Sequence, residues 1–261
     1  STPLYSSAAS DVYKRQAIGK NVTLTKAQMR ALGLGDGTSV AKTIRVRIFD
    51  TTNIWVEASA TLTIKNLPPV GTIVAPATGT EGVRPVVKYL VSSDASNKDV
   101  NAGFRASWDF NDDGVWDLGN GSTYAGSILG KVTIPLGFVS DSGPIQVLVR
   151  IFDKDGGYVD SRATILINEV APKATFGPLS APTSGAPVTF KFSTPVDSPS
   201  DTTAGFIYGF DFNNDGVFEV NGTSKQAATV FPGRGTYLVT GRIMDQDGLF
   251  TLYTLTVNVP F

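Results

Sequence analysis

The chain repeats itself, and no other feature of the sequence constrains its fold so strongly. Ala102-Gly103-Phe104, followed by Trp108-Asp109-Phe110-Asn111-Asp112-Asp113-Gly114-Val115-Trp116-Asp117, returns 102 positions later. There it reads Ala204-Gly205-Phe206 and then Phe210-Asp211-Phe212-Asn213-Asn214-Asp215-Gly216-Val217-Phe218-Glu219. A second block occurs three times, as Arg47-Ile48-Phe49-Asp50, Arg150-Ile151-Phe152-Asp153 and Arg242-Ile243-Met244-Asp245. The last two continue as Lys154-Asp155-Gly156-Gly157 and Gln246-Asp247-Gly248-Leu249. Asn66-Leu67-Pro68-Pro69 and Glu169-Val170-Ala171-Pro172 fall at matching places, where proline ends one strand and opens the next unit. Two complete units therefore span 67–169 and 170–261, while 17–66 matches only the second half of a unit. Junctions this short and proline-containing predict a semi-rigid row.

Periodicity identifies the elements. Ile44, Val46 and Ile48 alternate with Thr43, Arg45 and Arg47, and Ile145, Val147, Val149 and Ile151 repeat the pattern. Closing strands follow as Ala60/Leu62/Ile64, Ala163/Ile165/Ile167 and Leu255/Val257/Val259. A period of two means that one face packs a core while the other meets solvent. Phe104, Ala106, Trp108 and Phe110 share one face of a strand, as do Phe206, Tyr208, Phe210 and Phe212, so these aromatics read as core rather than as a sugar-stacking platform. Trp116 and Phe218, just past the turns, read either as exposed aromatics or as a second packing layer. The one helical hint is Thr25–Leu34, with Thr25 as N-cap and Gly35 beyond the end. The fold class is all-β: tandem antiparallel sandwiches, the first incomplete.

These residues resemble the PKD (polycystic kidney disease) domain, an immunoglobulin-like sandwich of bacterial surface proteins and of accessory regions of secreted enzymes. That family's Trp-Asp-Phe-Gly-Asp-Gly-like strand and turn is similar to Trp108-Asp109-Phe110-Asn111-Asp112-Asp113-Gly114, with extra turn residues here. Its Gly-Thr-Tyr entry to the next-to-last strand matches Gly235-Thr236-Tyr237, whereas the preceding unit has Gly143-Pro144-Ile145 and the half-unit has Lys42 at the tyrosine position. The resemblance covers both complete units and half of the first. It implies a fold, and says little about function.

Composition removes whole classes of activity. Twenty-two basic against 23 acidic residues give a net charge of −1, with no basic field for nucleic acid. No apolar run reaches the roughly 20 residues that span a bilayer. The chain has no cysteine and no histidine, so it lacks thiolate nucleophiles, the commonest general base and the usual zinc ligands. Neither a Gly-x-Ser-x-Gly elbow nor a phosphate-binding Gly-Lys-Ser/Thr loop occurs. The expectation is that the chain is not an enzyme. Absent disulfides lean towards a bacterial host. Asp11-Val12-Tyr13-Lys14-Arg15-Gln16 resembles translated sequencing-adapter read-through, so residues 1–16 are expected to be a non-native leader on a piece of a longer protein.

The remaining chemistry is carboxylate chemistry, and calcium is the cofactor such a set would take. Asp109-x-Asn111-x-Asp113-Gly114 matches the opening of a calcium loop, but its twelfth position is Asn120 rather than a bidentate glutamate. Asn-Asp-Gly between alternating runs is also plain hairpin chemistry. A second arrangement places calcium where two units meet. In an immunoglobulin-like unit the second-to-third-strand loop and the last hairpin loop share one end. Asp197, Asp201, Asp245 and Asp247 would gather there with Asn168 and Glu169 of the linker, joined by Asp112 or Asp113 from the preceding unit. Solvated turn acids are the competing reading.

The expected function is a non-catalytic structural or adhesive repeat module of a secreted or cell-surface bacterial protein. Its partners would be other repeats of the same chain, or surface polysaccharide or protein. The alternative is a carbohydrate-binding accessory region of a secreted hydrolase whose catalytic domain lies outside this sequence.

Overall fold

The computed structural model describes residues 21–37, 41–128 and 130–260, so the supposed leader at 1–16 lies outside the described residues. Helix α1 (Lys26–Ala31) is closed at its start by Thr25, which accepts the Gln28 amide while the Gln28 side chain accepts the Thr25 N–H. It stops short of Leu34, because Leu32 caps it and Gly33 turns the chain at φ +71°.

Strands β1 (Ala41–Phe49) and β2 (Trp55–Thr63) form an antiparallel hairpin that pairs with no other described strand. Every residue of both strands is exposed, Ile48 at 64%. The two-residue alternation is present, but among the described residues nothing covers its apolar side.

The next unit closes into a sandwich. Its elements are β3 (Val70–Val74), β4 (Thr78–Thr80), β5 (Val86–Ser93), α2 (Asn97–Ala102), β6 (Arg105–Asp109), β7 (Val132–Thr133), β8 (Gly143–Phe152) and β9 (Tyr158–Asn168). One sheet has the order β3-β5-β7 and the other β4-β9-β8-β6. The inner faces meet around Trp108, Phe110, Val147, Val149, Ile151 and Ile165, all with no solvent exposure. The second sandwich runs β10 (Lys173–Pro178), β11 (Pro187–Val196), α3 (Pro199–Ala204), β12 (Ile207–Asp211), β13 (Val220–Gly222), β14 (Gln226–Val230), β15 (Gly235–Met244) and β16 (Phe250–Val259). Its sheets are β10-β11-β14 and β13-β12-β15-β16, enclosing a separate core around Phe190, Phe192, Tyr208 and Phe210. Both units are immunoglobulin-like sandwiches.

Two helices escaped the periodicity. Helices α2 and α3 are six residues each, too short to show a 3.6-residue stripe. They are set by caps instead: Ser96 accepts the Lys98 and Asp99 amides, and Ser198 accepts that of Asp201.

An arginine on the outer face of each long hairpin lies over an aromatic ring. Arg47 is 4.3 Å from the Trp55 ring centre and Arg150 4.1 Å from Tyr158, whereas Arg242 is 6.0 Å from the matching Phe250 and closer, at 4.4 Å, to Phe218 outside the hairpin. Trp116 and Phe218 are therefore not free platforms. Both are half-buried, with Arg150 over Trp116 and Arg242 over Phe218.

Matched positions should respond differently to truncation. Ile151→Ala should cost about 2–5 kcal/mol in urea unfolding of the first sandwich, and Trp108→Ala about 3–5 kcal/mol. Ile48→Ala should stay within about 0.5 kcal/mol. Equal costs for Ile48 and Ile151 would mean that the hairpin's apolar face is covered in solution.

Candidate functional site

One turn, used twice, builds the site. In the hairpin between β15 and β16, Asp245 Oδ1 accepts the Asp247 and Leu249 amides at 3.0 and 2.8 Å. Asp153 Oδ1 accepts those of Asp155 and Gly157 at 2.8 and 2.9 Å in the hairpin between β8 and β9. Each aspartate thus spends one oxygen on its turn; the other accepts the Asn66 amide in Asp153 and is buried without a hydrogen-bond partner in Asp245.

At the seam between the two sandwiches several carboxylates converge. Glu81 follows β4, which pairs in parallel with the end of β9, and the Glu81 N–H donates to the Asn168 carbonyl at 3.1 Å. Its Oε1 accepts the Val170 amide at 2.9 Å, across the junction. Asp201 sits in α3, where the Ser198 hydroxyl donates to its Oδ2 at 2.7 Å. One carboxylate oxygen each from Glu81, Glu169 and Asp201 lie within 4.8 Å of one another. That is about the width of a calcium coordination shell, since calcium–oxygen distances are roughly 2.3–2.6 Å. Asp201 is wholly buried and Glu81 and Asp245 nearly so. Glu81 Oε2, Glu169 Oε1, Asp197 Oδ2, Asp201 Oδ1 and Asp245 Oδ2 are buried without a hydrogen-bond partner. No lysine or arginine pairs with any of these five among the described residues.

The electrostatics record that crowding. Burial, and then the neighbouring Glu169, push the Glu81 carboxyl up to about 7 against the pull of the Val170 amide. Burial followed by the charges of Asp201, Asp245 and Glu169 raises Asp197 to about 6. Asp245 is raised for the same reasons.

The first seam, where the segment bearing α1 meets the first sandwich, has the same plan with different occupants. Asp153, Asp155 and Asp99 stand where Asp245, Asp247 and Asp201 stand in the other unit. Lys154 Nζ lies 2.8 Å from Asp36 and 3.3 Å from Asp99, and also contacts Asp155. Lys98 adds a second contact to Asp36 at 3.2 Å. The Asn66 amide donates to Asp153 Oδ2 at 2.8 Å, satisfying the oxygen whose equivalent on Asp245 is bare. Burial works against ionisation of Asp36, but the hydrogen bonds from Lys154 and Lys98 outweigh it and bring its carboxyl to about 2.

Of the acids that the sequence singled out, the structure brings Glu169, Asp197, Asp201 and Asp245 to the second seam. Asp247 points to solvent at its rim, beside Asp141. Asn168 contributes its backbone carbonyl, with an exposed side chain. Asp112 does not reach the seam: Arg162 of its own sandwich holds it at 2.7 Å. Asp113 is likewise engaged locally, accepting from Asn111 and from the Val115 amide. In the Asn-Asp-Gly turn, Asp109 Oδ1 takes the Asn111 and Asp113 amides and Oδ2 that of Gly114, so the backbone occupies its oxygens. The residues that sequence reasoning missed are Glu81 at the second seam and Asp36, Asp94, Asp99, Lys98 and Lys154 at the first. Glu81 carries no repeat signal, and Lys154 looked like an ordinary turn residue.

Glu81 and Asp197 bind a proton more tightly folded than unfolded. Their contribution to stability is complete below their ordinary values of 4.5 and 3.8 and is lost as pH rises through about 7 and 6. The melting temperature of the chain in chelator should therefore fall between about pH 5 and 8. Glu81→Gln, which keeps an acceptor for the Val170 amide, should flatten that fall; an unchanged profile in this variant would show that Glu81 is not the titrating group.

No family model matches this sequence, and no curated protein matches it. Among solved structures the chain is similar to the PKD1 domain of a Vibrio cholerae metalloprotease, PrtV, at 26% identity over 35% of this chain and all of that one, with a TM-score of 0.26. The PKD1 domain of Vibrio anguillarum Epp is 23% identical over 36% of this chain and all of that one, with a TM-score of 0.25. Fibronectin(III)-like modules of Clostridium thermocellum CbhA align over 73% of this chain and 94% of theirs, at 13% identity and a TM-score of 0.30.

Proposed function

We propose that the chain is a non-catalytic spacer, a row of immunoglobulin-like modules from a secreted or cell-surface bacterial protein. The observation that carries this reading is the junction itself. The two sandwiches meet with no flexible linker: Glu81 bonds to Asn168 and Val170 through its N–H and its carboxylate, and Gly82 approaches α3 so closely that a Cβ there would touch Pro199 at 3.4 Å. The side-chain bond from Glu81 to the Val170 amide and the close packing of Gly82 on Pro199 hold a direction between modules, which a spacer needs and a catalytic domain does not.

A depression on the second sandwich supports the same view. It is lined by Phe212, Asn213, Glu219, Phe231, Thr236 and Tyr237 among others, and its one acid, Glu219, accepts the Phe212 amide at 2.8 Å. Carboxylate-based hydrolysis needs two converging acids. The carbohydrate-binding alternative would use this depression, but Tyr237 donates its hydroxyl to the Gly233 carbonyl and Phe231 is buried in the core.

Backbone nitrogen-15 relaxation of the chain tests the row. Both sandwiches should tumble with one correlation time and one orientation. Two independent correlation times would remove the spacer reading, and hydrolysis of a polysaccharide would replace it.

A further inference from the structure

The three long hairpins each carry one arginine at a matched outer-face position, and strand register sets one residue opposite it. Arg47 stands across from Glu57, Arg150 from Asp160 and Arg242 from Leu252. In the first two the facing residue is an acid and takes the guanidinium. Arg47 Nε donates to Glu57 at 2.7 Å, and Arg150 donates to both oxygens of Asp160 at 2.7 Å. The third hairpin keeps the arginine without the acid. Arg242 donates through Nη2 to Asn221 Oδ1 at 3.2 Å, while its Nε is buried with no hydrogen-bond partner. Its guanidinium is nevertheless held in place. Phe218 lies 4.4 Å beneath it, and Gly209, across from Arg242 on β12, makes room for that ring, since a Cβ there would come within 2.7 Å of it. A guanidinium that is stacked but faces no carboxylate is a donor fork set for an acid the chain does not supply.

The rest of the face differs in the same direction. Arg242 is the one charged residue of β15 and β16, whereas β8 and β9 carry Arg150, Asp160 and Arg162. Where the first sandwich has Gln146, Tyr158 and Asp160, the second has Leu238, Phe250 and Leu252. All three of these apolar side chains are exposed, Leu252 at 51%. Three polar groups have thus given way to apolar ones around a retained positive charge. Among the described residues β16 also has a free outer edge, whereas β9 is flanked there by β4. Apolar side chains gathered around one unmatched charge mark a surface that another molecule covers.

We propose that the outer face of β15 and β16 is a docking surface for a protein partner that brings an aspartate or glutamate to Arg242 and apolar side chains to Leu238, Phe250 and Leu252. The partner's carboxylate does there what Glu57 and Asp160 do within the chain. A polypeptide fits this face better than an acidic polysaccharide does. An extended strand presents an acid and its apolar neighbours two residues apart on one side, whereas a uronate would lay hydroxyl groups on the leucines. The inference goes beyond the spacer reading and does not rest on it.

The test uses the whole chain, labelled with nitrogen-15, and follows the Arg242 Nε–Hε resonance. The probes are the peptide acetyl-Leu-Thr-Glu-Thr-Leu-amide, the same peptide with glutamine for glutamate, and oligogalacturonate. The glutamate peptide should shift the resonance with millimolar affinity, and the glutamine peptide should bind at least about tenfold more weakly. Leu252→Asp supplies the acid within the chain. It should move the Arg242 resonance towards that of Arg150 and weaken the glutamate peptide at least about tenfold, as should Arg242→Gln. Should either variant fail to fold, judged by circular dichroism, the comparison of the two peptides on the unsubstituted chain still decides. No shift up to about 10 mM glutamate peptide overturns the proposal, as does equal binding of the glutamine peptide or unaltered binding in both variants. A response to oligogalacturonate with none to the peptide overturns the protein partner.

Discussion

A single carboxylate oxygen fixes the longest hairpin of each sandwich. Asp153 Oδ1 and Asp245 Oδ1 each accept two amides of the turn, and the strands leaving it stay in register from Phe152↔Tyr158 to Gly143↔Ile167 and from Met244↔Phe250 to Gly235↔Val259. The register matters because side chains alternate with a period of two. A slip of one residue would turn Val149 and Ile151, or Val239 and Ile243, out of their cores. The aspartate that secures this register has a second oxygen, and the turn leaves it buried at the seam, bonded to Asn66 in Asp153 and bare in Asp245. Buried negative charge at each seam is thus a consequence of how each core is registered. What differs between the seams is how that charge is answered.

The strands were legible because they must be amphipathic: alternation at Val147, Val149 and Ile151 is what a half-buried sheet imposes on its sequence. The same pattern at Ile44, Val46 and Ile48 predicted strands correctly and said nothing of coverage, because cover comes from other segments. Helices α2 and α3 were illegible by periodicity, although Ser96 and Ser198 were readable as caps. Much of the acid set was readable too, since topology places the loops of Asp197 and Asp245 at one end. Glu81 was not. It is delivered by β4, three residues paired in parallel with β9, and a strand that short leaves no period in the sequence. Asp112 was misplaced for the opposite reason: an acid in a turn looks available until the structure shows Arg162 upon it.

The outer-face arginines show what a satisfied charge looks like in this fold. Arg150 donates to both oxygens of Asp160 at 2.7 Å while lying over Tyr158, and Arg47 donates to Glu57 at 2.7 Å beside Trp55. These pairs are partly exposed, bidentate or stacked, and each is a local matter of two facing strands. The seam acids contrast with them at every point. They are buried, they come from segments far apart in sequence, and no strand register brings a cation opposite. Like charges about 4 Å apart cost on the order of 4 kcal/mol per pair at the effective dielectric of a protein near its surface. A cluster under that penalty takes up a proton or a metal ion, and the raised carboxyls of Glu81 and Asp197 are the proton's side of that competition.

In a row of modules, stability is the sum of what each unit holds alone and what each interface adds. The two cores share no buried residue, so each sandwich keeps its own hydrophobic stabilisation whatever happens between them. Only the interface term is open to control. At the first seam Lys154 is part of the chain, and its contribution is present at any ion concentration. At the second, Glu81 and Asp197 answer the crowding with protons, and these leave as pH rises through about 7 and 6, so the interface term there depends on the solution. The replacement of Lys154 by Gln246 at the matched turn position is enough to choose which joint is so governed.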